Sequence, residues 1–123
     1  MQTAMDSARP QVVRAEPAVA HVTISIDAPG TLVSVSGRLA ASTVAELRAV
    51  LVSAADSGYG DLVLDLGGVE IVDASGLGVL VGAHRLAARR ERRLVLRNVP
   101  HRVERLLIAT RLNRVLTVET GPA

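Results

Sequence analysis

The segment from Asp61 to Gly78 constrains the fold of this chain more than any other. Leucines alternate with other residues over positions 62–66, which is the two-residue period of a β-strand. The stretch Asp73-Ala-Ser-Gly-Leu-Gly78 follows and opens an apolar run, so we expect a helix from Ser75 to Arg90. A further strand is expected at 94–96. Strand, helix and strand in this order are typical of a parallel βαβ unit.

The rest of the sequence also contains segments with the period of a strand and segments with the period of a helix. Alternation over 22–26 and 32–35, with turn residues between them, predicts an antiparallel hairpin. A helix is expected over 44–55 and a third one after Pro100. We therefore predict an α/β fold: one domain with a mixed, mostly parallel sheet, an N-terminal antiparallel hairpin, and three or four covering helices. The domain is expected at residues 20–119, with a flexible leader at 1–19 and a frayed tail at 120–123.

Local signals predict where the helices begin and end. Thr43 and Glu46 have the spacing of a capping box ahead of the first helix. Pro100 suits the first position of the third helix, because its missing N–H is unpaired there in any case. The buried stripe of that helix is expected at Val103, Leu106, Leu107 and Thr110, and a last strand at Val115–Val118.

The composition indicates one aliphatic core. The chain has 123 residues, 49% of them hydrophobic, which suits a single domain. Tyr59 is the one aromatic residue, and the lack of cysteine excludes disulfides and thiolate chemistry. No apolar run approaches the roughly 20 residues that span a bilayer, and no secretory signal is evident. We therefore expect a cytoplasmic protein without membrane insertion.

The net charge of +2 hides an uneven distribution. Residues 1–84 hold 4 arginines and 9 acids, net −5, whereas residues 85–123 hold 10 arginines and 3 acids, net +7. We interpret the cluster at the end of the second helix as solvated, since cations are favoured near a helix C-terminus; it comprises Arg85, Arg89, Arg90, Arg92 and Arg93. Direct nucleic-acid binding is the weakest hypothesis, because aromatic residues for base stacking are lacking.

The chain does not contain the enzyme motifs that its sequence partly resembles. Gly76 and Gly78 lack the third glycine of a dinucleotide fingerprint, and the absence of lysine excludes a P-loop. Asp73 stands where a nucleophile elbow needs glycine. Ser75 and His84 are separated by about 13 Å of helix rise, too far to share a proton. We therefore expect no catalytic residue, no metal site and no cofactor.

Ser75 lies at the start of the expected second helix, where its hydroxyl can serve as a cap or accept a phosphate. Either Asp73 or Ser75 can cap the free amides there, and the partial positive charge of the helix N-terminus favours an added phosphate. The following residues Leu77, Val79, Leu80 and Val81 point in several directions, so some are expected to face a partner. A simple helix cap with a flexible turn is the alternative interpretation.

The strand, the serine turn and the following helix together resemble the STAS domain of bacterial anti-sigma factor antagonists. The resemblance runs in order from about residue 21 to residue 118 and includes the segment around Gly37. It implies a protein that binds an anti-sigma factor and thereby frees a sigma factor. In that family the anti-sigma factor is often a serine kinase that phosphorylates the motif serine, and a phosphatase reverses the modification. The phosphoacceptor implied here is Ser75.

The resemblance also implies a partner surface made of two segments. The first contributes Gly37, Arg38, Ala40, Ser42 and Thr43, and the second contributes Asp73, Ala74, Ser75, Gly76, Leu77 and Gly78. Ala74 replaces the Ser or Thr of many members, and Ala40 replaces an acidic residue. These departures favour an alternative, a STAS scaffold or accessory subunit of a signalling complex or lipid transporter that does not switch. The oligomeric state stays open.

Overall fold

The computed structural model describes residues 11–14, 22–28 and 30–119. They form six strands and three α-helices. The strands are β1 (Gln11–Arg14), β2 (Val22–Ala28), β3 (Leu32–Leu39), β4 (Leu62–Val72), β5 (Leu94–Arg97) and β6 (Thr117–Val118). The helices are α1 (Val44–Asp56), α2 (Ala74–Arg89) and α3 (His101–Ala109), and a 3-10 helix follows at Leu112–Arg114.

The strands form one mixed sheet in the order of the chain. β1, β2 and β3 pair antiparallel, and the pairings from β3 to β6 are parallel. Helices connect the parallel strands, and right-handed crossovers that advance in one direction place their helices on the same face of the sheet. The structure thus confirms the predicted α/β fold with its antiparallel N-terminal hairpin.

The core lies between the helices and this face of the sheet and is aliphatic. The helices contribute Leu47, Leu51, Val79, Leu80, Ala83, Ala87, Val103 and Leu107. The strands contribute Val22, Ile24, Val33, Val35, Leu62, Leu64, Leu66, Leu94 and Leu96. Each fully buried valine, leucine or isoleucine side chain contributes roughly 1.5–3 kcal/mol of transfer free energy. Residues of the opposite parity, such as Ser34 and Asp65, are partly exposed on the other face.

Strand β1 lies inside residues 1–19, where the sequence predicts a flexible leader. It pairs with β2, with Gln11 opposite Ile26 and Arg14 opposite Thr23. Four residues are too few to display a period, so the pattern could not reveal this strand. The rest of the leader and the predicted tail at 120–123 lie outside the described residues, and the predicted domain boundaries stay a prediction.

Strand β4 continues past Leu66 to Val72, farther than the alternation indicates. Gly67 and Gly68 interrupt the apolar pattern, and the pairing with β3 shifts register nearby. A β-carbon on Gly68 would lie 2.4 Å from that of Ser36, so glycine allows the two strands to approach there. The longer strand carries the chain directly to Asp73 at the carboxyl edge of the sheet.

The predicted capping box at Thr43 and Glu46 is wrong. Thr43 is the N-cap residue of α1, but its side chain makes no capping hydrogen bond. Its hydroxyl donates to the carbonyl oxygen of Arg38 at 2.7 Å and accepts from the amide of Ala40 at 3.1 Å. The buried hydroxyl therefore closes the turn between β3 and α1 rather than capping the helix.

Helix α3 also differs from the prediction in detail. Pro100 is the extended N-cap residue rather than the first helical residue. Val103 and Leu107 are buried, while Leu106 and Thr110 are exposed, because the helix ends at Ala109 and buries a narrow stripe. The last strand is only Thr117–Val118. Val115 is exposed in the turn that precedes it.

Arg92 is buried, which corrects the interpretation of the arginine cluster as wholly solvated. Its side chain is 6% exposed and donates to backbone carbonyls from three segments. The acceptors are Ala54 and Ala55 in the last turn of α1, Gly30 in the turn after β2, and Tyr59, Gly60 and Asp61 before β4. Arg92 therefore joins three segments by hydrogen bonds at the end of the sheet that lies opposite Asp73.

Candidate functional site

The two segments predicted to form a partner surface meet at the carboxyl edge of the sheet. Leu39 and Val72, the last residues of β3 and β4, are register partners in the parallel pair. The amide of Asp73 donates to the carbonyl oxygen of Leu39 at 3.1 Å. The amide of Ala41 donates to Oδ2 of Asp73 at 3.4 Å. The loop before α1 is therefore bonded to the start of α2.

Asp73 caps α2, which decides between the two predicted capping residues. It has extended backbone angles, and its Oδ1 accepts from the amide of Gly76 at 3.0 Å. Its carbonyl oxygen accepts the first helical hydrogen bond, from the amide of Leu77 at 3.0 Å. A side-chain oxygen at this position satisfies an amide that the helix leaves unpaired.

Ser75 is the second residue of α2 and is exposed. Within the described part of the chain its hydroxyl makes no hydrogen bond, because Asp73 already serves as the cap. The first turn of α2 contains no acidic residue, so the positive end of the helix dipole is opposed only by Asp73. The hydroxyl is thus accessible at a position where the backbone favours an anion.

The two glycines that follow Ser75 have different structural roles. A β-carbon on Gly76 would lie 2.2 Å from the carbonyl oxygen of Leu39, so glycine is required for α2 to pack against β3. A β-carbon on Gly78 would have nothing within 4 Å. At Gly76, the backbone of β3 therefore occupies the space that a side chain would need. At Gly78 the corresponding space is empty.

The apolar surface expected after Ser75 is mostly interior. Val79 and Leu80 belong to the core, and Leu77 and Val81 are half-buried. Helix α2 is apolar on several sides because it packs on both the sheet and α1. Its outward face next to Ser75 is made of small residues, including Gly78 and Gly82.

The predicted partner residues divide by exposure. Those exposed at the edge are Arg38, Ser42, Asp73, Ala74, Ser75 and Gly78. Gly37, Ala40 and Leu77 are half-buried, and Thr43 and Gly76 are buried, so the last two hold the loops in place rather than face outward. Their role in binding a partner stays a prediction.

One exposed residue of this edge, Ile71, lies outside the segments that the sequence predicts. It lies beside Arg38 as its register partner and is 41% exposed. The sequence does not reveal its position because the alternation predicts that β4 ends at Leu66.

Other kinds of site have no support in the described residues. No three histidine or acidic side chains converge there as metal ligands. Ser75 and His84 lie nine residues apart on α2. Within the same residues, every helix is too short or too polar to cross a bilayer.

Sequence comparison places the chain in a known family. Residues 12–118 match the family profile described as "Mlab, STAS domain". The chain belongs to the STAS-domain family. An anti-sigma-B factor antagonist of Staphylococcus epidermidis is 34% identical over 89 residues, which cover 72% of this chain and 82% of the relative. The curated relatives that this comparison finds are anti-sigma-B factor antagonists, so the chain is similar to regulatory proteins that carry that name.

Solved structures show the same fold. An anti-sigma factor antagonist from Mycobacterium paratuberculosis superposes with a TM-score of 0.66 at 17% identity, covering 90% of this chain and 86% of that one. The anti-sigma factor antagonist SpoIIAA in its unphosphorylated form superposes with a TM-score of 0.61 at 17% identity, covering 90% of each chain. The STAS fold of this chain is thereby established.

Proposed function

We propose that this STAS domain binds an anti-sigma factor through the edge formed by 37–43 and 73–78, and that phosphorylation of Ser75 by a serine kinase ends the binding. The observation that carries the proposal is the free, exposed hydroxyl of Ser75 beside the cap at Asp73. The named relatives are anti-sigma-B factor antagonists, and the solved SpoIIAA is an unphosphorylated form, which supports both parts of the proposal. The domain has no catalytic role of its own.

The charge of a phosphate explains why binding would end. Phosphoserine adds about −1.5 to −2 charges. An unpaired charge that is buried in an interface costs about 3–5 kcal/mol, which weakens binding roughly 10²- to 10³-fold. The outward face around Ser75 is made of small residues, so a partner approaches its backbone closely and has little room for the phosphate. The dipole of α2 stabilises the phosphate in the free domain, and the fold persists.

The phosphoacceptor is tested by incubating the domain with its cognate anti-sigma kinase and labelled ATP. We expect one phosphate on the unmodified domain, none on Ser75→Ala, and one on Ser53→Ala. Ser53 is a matched control because it is an exposed serine of α1 outside both predicted binding segments. Equal incorporation into the unmodified domain and Ser75→Ala would contradict the assignment.

The effect of the charge is tested by titrating the anti-sigma factor with Ser75→Asp and Ser53→Asp. Ser53 is an exposed serine of α1 outside both predicted binding segments, so it receives the same charge in another place. We expect Ser75→Asp to bind at least about tenfold more weakly and Ser53→Asp to bind as the unmodified domain does.

The second candidate function is a STAS scaffold or accessory subunit that does not switch. It is favoured by the matching family profile, whose description names Mlab, and by Ala74 beside Ser75. In that case Ser75→Asp would retain full affinity for the partner, and no kinase would modify the domain.

A further inference from the structure

A groove between α1 and α2 lies next to the Ser75 edge but is separate from it. It measures about 190 Å³ and is lined by apolar or small residues with an arginine from each helix: Arg48, Leu51, Val52, Val79, Gly82, Ala83, Leu86 and Arg89. Val52 is 41% exposed at its rim. A β-carbon on Gly82 would meet nothing within 4 Å, so the floor of the groove has space for a side chain from outside.

The charges around the groove are positive and unbalanced. Arg48 and Arg89 are exposed and, within the described part of the chain, form no ion pair or side-chain hydrogen bond. Helix α2 contains no acidic residue, and Arg85 adds a third exposed cation to it. Of the two acids in α1, Asp56 is already paired with Arg90 at 2.6 Å.

We propose that this groove docks an acidic amphipathic helix of a partner protein. Apolar side chains of that helix would enter above Gly82 and Ala83, and its carboxylates would meet Arg48 and Arg89. Helix-in-groove recognition combines an apolar stripe with complementary flanking charge in this way. Charge complementarity of this kind governs specificity and association rate more than total affinity.

A second groove on the other side of α1 provides an internal comparison. It is larger, about 430 Å³, and its lining has no charged side chain: Ile26, Gly30, Ala49, Val50, Ser53, Ala54 and Ser57. A ligand that binds through apolar contact alone would favour the larger groove. Of the two grooves, the one between Arg48 and Arg89 is the one whose lining offers cations to an acidic helix.

The test uses the full chain, ¹⁵N-labelled, titrated with a stapled helical peptide that has a leucine stripe flanked by glutamates. A peptide with lysine in place of each glutamate is the control. We expect the acidic peptide to shift the amide signals of Val52, Gly82 and Leu86, with affinity that falls as salt is raised. The lysine peptide leaves these signals unchanged. Shifts centred on Ile26 and Val50, equal binding of both peptides, or no binding would overturn the proposal.

Three variants separate docking from folding. Arg48→Glu/Arg89→Glu is expected to lose at least about tenfold in affinity for the acidic peptide, whereas Arg105→Glu/Arg114→Glu, which changes exposed arginines elsewhere, binds normally. Gly82→Leu fills the groove and strengthens the helix, so its loss of binding cannot be attributed to unfolding. Retained binding by Gly82→Leu contradicts the proposal. Concentration-dependent shifts of the same signals without peptide would assign the groove to a second copy of the chain and equally overturn it.

Discussion

The carbonyl oxygen of Leu39 lies 2.2 Å from the position that a β-carbon would take on Gly76. This contact joins the end of β3 to the first turn of α2. Because Asp73 also donates its amide to the same carbonyl oxygen, the end of β3 is bonded directly to the turn that carries Ser75. The close packing of this turn on β3 therefore requires a glycine that is itself buried.

Gly76→Ala is expected to destabilise the domain by about 1–3 kcal/mol, because the backbone of β3 must shift to admit the methyl group. Gly78→Ala is the matched control. Its methyl group enters open space, and alanine is the better helix former by roughly 0.5–1 kcal/mol, so stability should rise. Urea denaturation of both variants measures the difference. Equal stability of the two variants would show that α2 and β3 move apart at Gly76 without a loss of stability.

Asp73→Ala is expected to cost about 1 kcal/mol, since the amide of Gly76 loses its side-chain acceptor. Asp73→Asn retains an acceptor oxygen and should lose less than half of that amount. Hydrogen exchange at the amide of Gly76 gives a local readout, which should accelerate in Asp73→Ala and stay slow in Asp73→Asn. Slow exchange in both variants would mean that another group caps α2.

The order of the elements was predictable from the sequence, but the outward face of the site was not. Alternating leucines and an Asp-x-Ser-Gly turn mark the β4–α2 junction through local chemistry alone. Which residues of α2 stay exposed depends on how the helix packs on the sheet and on α1, so the sequence could not tell which residues among Leu77, Val79, Leu80 and Val81 face the core. For the same reason the sequence predicts that the hydroxyl of Thr43 bonds to the amide of Glu46, although it donates to the carbonyl oxygen of Arg38. Tertiary contacts decided each of these cases.

Arg92→Met is expected to cost at least about 3 kcal/mol, because carbonyl groups from three segments lose a charged donor in a buried position. Arg90→Met is the control from the same cluster. Its ion pair with Asp56 is half-exposed, so the loss should stay within about 1 kcal/mol. Thermal denaturation compares the two. A similar loss of stability in both variants would show that the buried hydrogen bonds of Arg92 contribute no more than a surface ion pair does.

The ion pair of Asp61 with Arg93 should be visible in a pH titration. The hydrogen bond from the Arg93 side chain lowers the pKa of the Asp61 carboxyl below its ordinary value. A lowered pKa in the folded state stabilises the fold above the ordinary carboxyl range, about pH 4, and this contribution is lost as the pH falls through the lowered value. Arg93→Gln should return the pKa of Asp61 towards its ordinary value, measured by carboxyl ¹³C NMR. Arg97→Gln should leave it unchanged, because Arg97 pairs with Asp65.

Glu91→Gly should stabilise the domain. Glu91 follows the C-cap residue of α2 and lies in the left-handed region at φ 59°, while the amides of Glu91 and Arg92 donate to the carbonyls of Ala88 and Ala87. This Schellman geometry favours glycine, and a side chain there costs about 1 kcal/mol. The Glu91 carboxylate has no partner within the described residues, so no contact is lost. Ala88→Gly, one turn earlier and within the helix, should instead destabilise by about 1 kcal/mol. A loss of stability in both variants would show that the left-handed geometry at Glu91 carries no strain.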